Sequence, residues 1–345
     1  MHDPSLALLL AGILAVSLAA YVLFGGADFG GGVWDLLASG PRRDRQRDLI
    51  AHAIAPIWEA NHVWLILAIV LTFTCFPAVF ARLGIVLHIP LSLMLVGVVL
   101  RGSAFIFRSH NTERASQLRW GRVFAVASLL TPVLLGLCIG AVASGRVVEQ
   151  THGTFAARFV EPWLTPFSLA VGAMTLAMFA LLAAVFLTLE TTDLALAGDF
   201  RRRGLGAGVA MFAAAFLALA LSPRHAPLMQ AGLLDSPWAL PFHVLTGVAS
   251  LVVLAALWFR RYRLARIAVG VQVLCIVGGW ATAQYPYIIP PDLTIAASAA
   301  PPITLRLVAL VLATGSLVLL PSLIYLFRVF KSAPVDQAGR AARGG

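Results

Sequence analysis

The stretch Leu176-Ala177-Met178-Phe179-Ala180-Leu181-Leu182-Ala183-Ala184-Val185-Phe186-Leu187-Thr188-Leu189 carries no charge and no alternation of apolar with polar residues. A strand of a membrane barrel would alternate with period two over about ten residues. This run does not, and extended to 164–189 it exceeds the roughly 20 apolar residues that carry a helix across a bilayer. Working outward, eight further stretches qualify: 5–36, 53–80, 83–100, 121–144, 205–222, 239–259, 264–283 and 305–330. The reading is an all-α integral membrane protein with about nine transmembrane helices, and residues 1–345 are expected to form a single polytopic membrane domain. Residues 284–304, rich in Pro and Tyr, are expected to form an ordered, non-helical cap at one interface.

Composition agrees. The chain is 60% hydrophobic and 12% charged, with a mean hydropathy of +0.90, whereas a soluble domain runs near 25% charged. Secreted disulfide scaffolds, nucleic-acid-binding domains and long disordered tails are excluded. The formal charge of +10 reads as topology, with no nucleic-acid partner. Twenty of the 25 Lys and Arg fall in the segments after the first, third, fifth, seventh and ninth stretches. By the positive-inside rule those segments are cytoplasmic, the N-terminus lies outside and the C-terminus inside. His2 and Asp3 with no Lys or Arg make a poor signal-peptide n-region, so the first stretch is expected to stay as a helix. Cys75, Cys138 and Cys275 lie in apolar surroundings without CxxC spacing, and read as small buried residues with no disulfide and no metal.

Ionisable side chains within spans are costly, by roughly 2.5–3.5 kcal/mol on insertion scales, so each calls for a reason. The first stretch ends in Gly25-Gly26-Ala27-Asp28-Phe29-Gly30-Gly31-Gly32-Val33-Trp34-Asp35. Asp28 and Asp35, two turns apart, share a face. Gly26 and Gly30 give the GxxxG spacing that admits a neighbouring helix. The second stretch contains Ile57-Trp58-Glu59-Ala60-Asn61-His62-Val63-Trp64-Leu65, with Glu59 and His62 on one helical face. A buried carboxylate beside a histidine can relay protons. Asp28, Glu59 and His62 all fall in the cytoplasmic half and are the candidate proton pathway; a satisfied polar network joining the two helices is the competing reading. Trp58, Asn61, Arg101 and Arg108 are the candidate structural or charge partners, with a snorkelling interfacial arginine as the plain alternative for Arg101. His88 and His243 both fall near the outer ends of their stretches, where a level pair is conceivable, but one such pair without a repeated histidine spacing is a weak haem signal. No P-loop, dinucleotide fingerprint or nucleophile elbow is present.

These residues, taken in order, resemble subunit II of the cytochrome bd-type quinol oxidases over nearly the whole chain. The resemblance is carried by Ala27-Asp28-Phe29-Gly30, by Ile54 to Leu65 with Pro56, Trp58, Asn61 and Trp64, and by Phe76-Pro77. Further along it is carried by Arg101-Gly102-Ser103-Ala104-Phe105 with Arg108, by Trp120 with Pro132, and by Tyr285-Pro286 through Pro290, Leu293-Thr294 and Ala297-Ser298. It implies nine spans arranged as two four-helix bundles plus one peripheral helix. It also implies that no haem is bound by this chain and that the b- and d-type haems sit in a partner, subunit I, which oxidises quinol and reduces dioxygen to water. The family acid on the second helix corresponds to Glu59, on a proton route. Some members hold a quinone in subunit II, though no motif here marks such a site. Two positions depart from the family pattern. The usual Asp-Gly-Phe-Asp of the first helix keeps only its second acid, Asp28, with Gly25 in place of the first, and His62 stands where Glu or Gln is common.

The sequence therefore predicts a haem-free subunit II of a quinol:oxygen oxidoreductase in the bacterial inner membrane, in contact with subunit I, lipid and quinol. The alternative is a stand-alone proton-coupled transporter or channel using Asp28, Glu59 and His62; it calls for helices broken at mid-membrane, whereas Gly30 to Gly32 lie near a helix end.

Overall fold

The computed structural model describes residues 4–54, 61–149 and 152–330. Eight described helices are long and apolar enough to cross a membrane, and a bent helix pair makes a ninth. In chain order the elements are α1 (Pro4–Leu36), α2 (Arg43–Ile54), α3 (Val63–Cys75), α4 (Pro77–Val86), α5 (His88–His110), α6 (Arg114–Ala143) and α7 (Phe155–Phe159). They continue with α8 (Pro166–Leu187), α9 (Leu194–His225), α10 (Pro227–Leu234), α11 (Ala239–Trp258), α12 (Tyr262–Gln284), β1 (Tyr287–Ile289), β2 (Leu293–Thr294) and α13 (Pro302–Phe330). The all-helical expectation holds.

Packing divides the long helices into two groups. In the first, α1, α3, α5 and α6 associate, with α5 against α6 and α1 touching both α3 and α6. In the second, α8 packs on α9 and α11 on α12, while α8 also contacts α12 and α9 contacts α11. α1 and α6 both lie against α8 and join the groups. α13 touches α1 and α3 at its margin and buries none of its apolar window, the position of a peripheral helix.

The second predicted stretch, 53–80, is divided. α2, in the basic segment between the first two predicted stretches, is a helix that buries Gln46, Leu49, Ile50, Ala53 and Ile54 on one side. α3 and α4 meet at Phe76 with a bend of 113°. Pro77 supplies no N–H and disfavours helical torsions at the residue before it, and Phe76 accordingly sits at φ −134°, ψ 62°. The Cys75 carbonyl accepts instead from the Ala300 amide at 2.8 Å. α3 alone, at about 1.5 Å per residue, is too short to span; the break lies toward the end opposite the basic segments.

That opposite end is closed by the ordered cap expected from Pro and Tyr content. β1 and β2 pair antiparallel, Tyr287 with Thr294 and Ile289 with Leu293. Arg82 of α4 ties the cap down, donating to Asp292 at 3.2 Å and to the Val147 carbonyl at 3.3 Å. All three cysteines are buried and free.

Candidate functional site

The polar residues of α1 meet those of α5 in two rungs. Both helices run from the cap end toward the basic end, so residues seven apart on each repeat the same relation two turns on. In the rung nearer the basic end, Arg108 Nη1 donates to both carboxylate oxygens of Asp35 at 3.0 Å. Arg47 of α2 donates to the Asp35 carbonyl at 3.2 Å and stands 3.9 Å from the carboxylate. In the inner rung Asp28 and Arg101 are 4% and 2% exposed, and the charge of Asp28 acts on the Arg101 guanidinium. Asp28 Oδ2 also accepts from Asn61 Nδ2 at 2.5 Å.

Arg101 is therefore not a snorkelling residue. Its Cζ lies 4.7 Å from the Phe29 ring centroid and 5.3 Å from that of Phe124, and its Nε and Nη2 have no hydrogen-bond partner among the described residues. His62 is half-buried with its ring 6.0 Å from Tyr21 and 6.2 Å from Phe29. Asp28, Asn61, His62 and Arg101 are thus brought together, while Arg108 serves the neighbouring rung. Glu59 and Trp58 lie outside the described residues.

Tyr21 belongs to the same cluster and was not singled out from the sequence. It is buried, couples electrostatically to Arg101 and Asp28, and covers Gly25: a Cβ there would stand 2.9 Å from Tyr21 Cε2. The tyrosine ring packs over the position where a first carboxylate would branch.

A second polar assembly joins α2 to α9 at the basic end. Asp199, 9% exposed, accepts from Arg42 Nε and Nη2 at 2.7 Å, from Gln46 Nε2 at 2.9 Å and from Arg202 at 3.0 Å. Arg203 donates to Gln46 Oε1 at 2.7 Å and lies over the rings of Trp34 and Phe200. The sequence offered one signal for it: Asp199 is the sole acid between Asp193 and Asp235 and precedes three consecutive arginines.

His88 and His243 are not brought together. His88 Nδ1 faces the Ile85 carbonyl and His243 Nδ1 the Ala239 carbonyl, and the two sit in different helix groups, on α5 and α11. Among the described residues no three His, Cys, Asp or Glu side chains converge as metal ligands.

The family model for cytochrome bd terminal oxidase subunit II matches residues 6–330. The chain belongs to that family. Among its subunit II relatives, a Bacillus subtilis (strain 168) protein named "Putative cytochrome bd menaquinol oxidase subunit II" is 24% identical over 324 residues, 90% of this chain and 91% of that protein. Cytochrome bd-I ubiquinol oxidase subunit 2 of Escherichia coli (strain K12) is 26% identical over 182 residues, 52% of this chain and 47% of its own length. The bd oxidase structure from Geobacillus thermodenitrificans matches with a TM-score of 0.77 at 23% identity, covering 94% of this chain and 98% of that one. That likeness is one of fold.

Proposed function

We propose that this chain is the haem-free subunit II of a quinol:oxygen oxidoreductase, a single polytopic domain that stabilises a haem-bearing subunit I and conducts protons toward it. Quinol oxidation and the b- and d-type haems are placed in the partner. The basic ends of the helices face the cytoplasm and the N-terminus faces outward, as the asymmetry of arginines supports. The observation that carries the proton reading is the buried Asp28 carboxylate, bonded to Asn61 beside the buried Arg101 cation. A carboxylate at this depth is expensive unless used or paired. Here it is bonded to Asn61, two residues after Glu59 in the sequence, with the half-buried imidazole of His62 beside Tyr21 and Phe29. In this reading Arg101 and Asn61 orient Asp28, and Glu59 and His62 pass protons between the basic side and the partner.

The test is Glu59→Gln in the assembled complex. Slower quinol oxidase turnover with unchanged haem content and subunit ratio is the expected result. Normal turnover in an intact complex removes the proton claim, and loss of assembly assigns Glu59 a structural role. A purified complex without haem absorbance overturns the oxidase reading altogether.

A further inference from the structure

Helices α9 and α11 close tightly along one seam, where a Cβ at Gly208 would stand 2.7 Å from Leu254 Cδ2 and one at Gly204 3.1 Å from Leu257 Cδ1. Beside that seam opens a groove of about 380 Å³, lined by Leu205, Val209, Leu254, Ala255, Trp258 and Phe259. Its volume falls within the roughly 300–1,000 Å³ of small-ligand clefts, yet it lacks the few polar groups that fix a metabolite. The small side chain of Ala255 leaves the space between larger neighbours. Such a slot on the flank of a spanning bundle fits hydrocarbon.

Its mouth is cationic. Arg201, one turn before Leu205, donates to the carbonyls of Leu257 at 2.8 Å and Trp258 at 3.1 Å, which fixes Trp258 as one wall. Arg260 and Arg261 follow Phe259 directly and are exposed. The sequence has no Asp or Glu between Asp199 and Asp235 or between Asp235 and Asp292, and Asp199 is already engaged by Arg42, Gln46 and Arg202. Nothing acidic from α9, α11 or α12 offsets the mouth.

The backbone adds a second observation. Arg260 has φ +58°, the sole positive φ outside glycine among the described residues. Its amide bonds Leu257 O at 3.2 Å and the Arg261 amide bonds Ala256 O at 2.7 Å, the helix-closing pattern usually served by glycine. An L-residue is less favourable there than glycine, so the arginine stands against its backbone preference, next to Phe259 of the groove lining. Residues held in such conformations cluster at ligand sites.

We propose that the α9–α11 groove binds one acyl chain of an anionic phospholipid, with the lipid phosphate held by Arg260 and Arg261. The test uses the purified two-subunit complex, delipidated in detergent and titrated with dioleoylphosphatidylglycerol or dioleoylphosphatidylcholine under native mass spectrometry. Phosphatidylglycerol is expected to be retained preferentially. Arg260→Gly, which suits the backbone, and Arg261→Gln should each lower that retention roughly fivefold; Ala255→Phe should abolish it by filling the groove. Haem content reports that the variants are intact. Equal retention of both lipids, phosphatidylglycerol binding unchanged in the three variants, or its displacement by inorganic phosphate would each overturn the proposal. So would a quinone mass in the lipid's place, or a cross-link placing subunit I over Trp258.

Discussion

Asp28→Asn should destabilise the protein more than any other single change in the inner polar cluster. Arg101 is 2% exposed and cannot shed its charge by releasing a proton. Cation–π contacts with Phe29 and Phe124 contribute about 0.5–2 kcal/mol, while desolvating an ion costs several kcal/mol. The charge of Asp28 offsets part of the difference. Asp28 and Arg101 interact through their charges and not through a direct salt bridge; removing one member of a buried ion pair in contact costs about 3–5 kcal/mol, which is the upper bound on the loss for Asp28→Asn. Arg101→Gln should cost less, about 1–3 kcal/mol, because the abandoned carboxylate still accepts from Asn61 and can be neutralised by a proton. The double variant buries no charge, so the two single losses should sum to about 2–4 kcal/mol more than the double loss.

The assay is denaturation of the complex in mixed micelles by graded sodium dodecyl sulfate, with wild type, both singles and the double measured together. The magnitude distinguishes the causes. Neutral interhelical hydrogen bonds in membranes couple by only about 0.6 kcal/mol on average, so a coupling several times larger marks a charge pair. Losses that add to within about 0.5 kcal/mol, or an Arg101→Gln variant weaker than Asp28→Asn, would refute the charge coupling of Asp28 with Arg101.

Two further outcomes follow from local geometry. Gly30→Ala would drive a methyl group into the Phe179 carbonyl of α8 and should cost about 1–3 kcal/mol by overpacking; Gly12→Ala, with nothing within 4 Å of its Cβ, should be neutral or stabilising by up to ~1 kcal/mol, and equal effects in the same micelle titration would contradict the seam. Asp193 caps α9 by accepting the amides of Ala195 and Leu196 and pairs with Arg45; these hold its carboxyl below the ordinary range, the Ala195 bond foremost. A depressed folded-state pKa stabilises above the unfolded value of about 4 and is lost as pH falls through the folded value. Asp193→Ala should therefore cost about 1 kcal/mol at neutral pH and flatten the acid arm of the stability profile, whereas Asp193→Asn keeps the cap and flattens only the acid arm. An unchanged acid arm in both variants would contradict this account.

The spans were legible because a bilayer leaves few options. Uncharged runs of 20 residues, without period two, can only be helices once every backbone group must be satisfied internally. Basic residues marked the alternation of ends, and the Pro- and Tyr-rich segment at 284–304 announced the cap. The Phe76–Pro77 break was written in the sequence but masked by hydropathy, since both arms are apolar and a window average cannot see a bend. α2 failed to register for the opposite reason: its charged face outweighs Leu49, Ile50 and Ile54 in any average. In the site, Asp28 and Arg101 stood out as ions in apolar surroundings. Asp35 with Arg108 was signalled by seven-residue spacing on both helices. Tyr21 carried no such signal, because an aromatic residue in a span is ordinary until its neighbours are known, and Gln46 is polar in a segment where polarity is unremarked.

The end of α1 meets two demands on opposite faces. At 100° per residue, Gly26 and Gly30 lie within one narrow sector, and Asp28 and Asp35 within another roughly half a turn away. The glycine sector lets the backbone of α1 approach α8, where Phe179 and Ala183 fill the contact and Trp34 Nε1 donates to the Ala180 carbonyl at 2.8 Å. The acidic sector points at Asn61, Arg101 and Arg108 in the first helix group. One helix thus joins the two groups by close packing on one side and holds buried charge on the other, and the chain needs no separate element for either task. The arrangement also explains why the sequence there is so dense in glycine and acid. α1 has no face left for lipid at this depth, so residues unsuited to a lipid-facing surface can be placed there against protein partners. The two functions should separate on mutation: widening the Gly30 seam acts on the contact between groups, while changes at Asp28 act on the charge cluster.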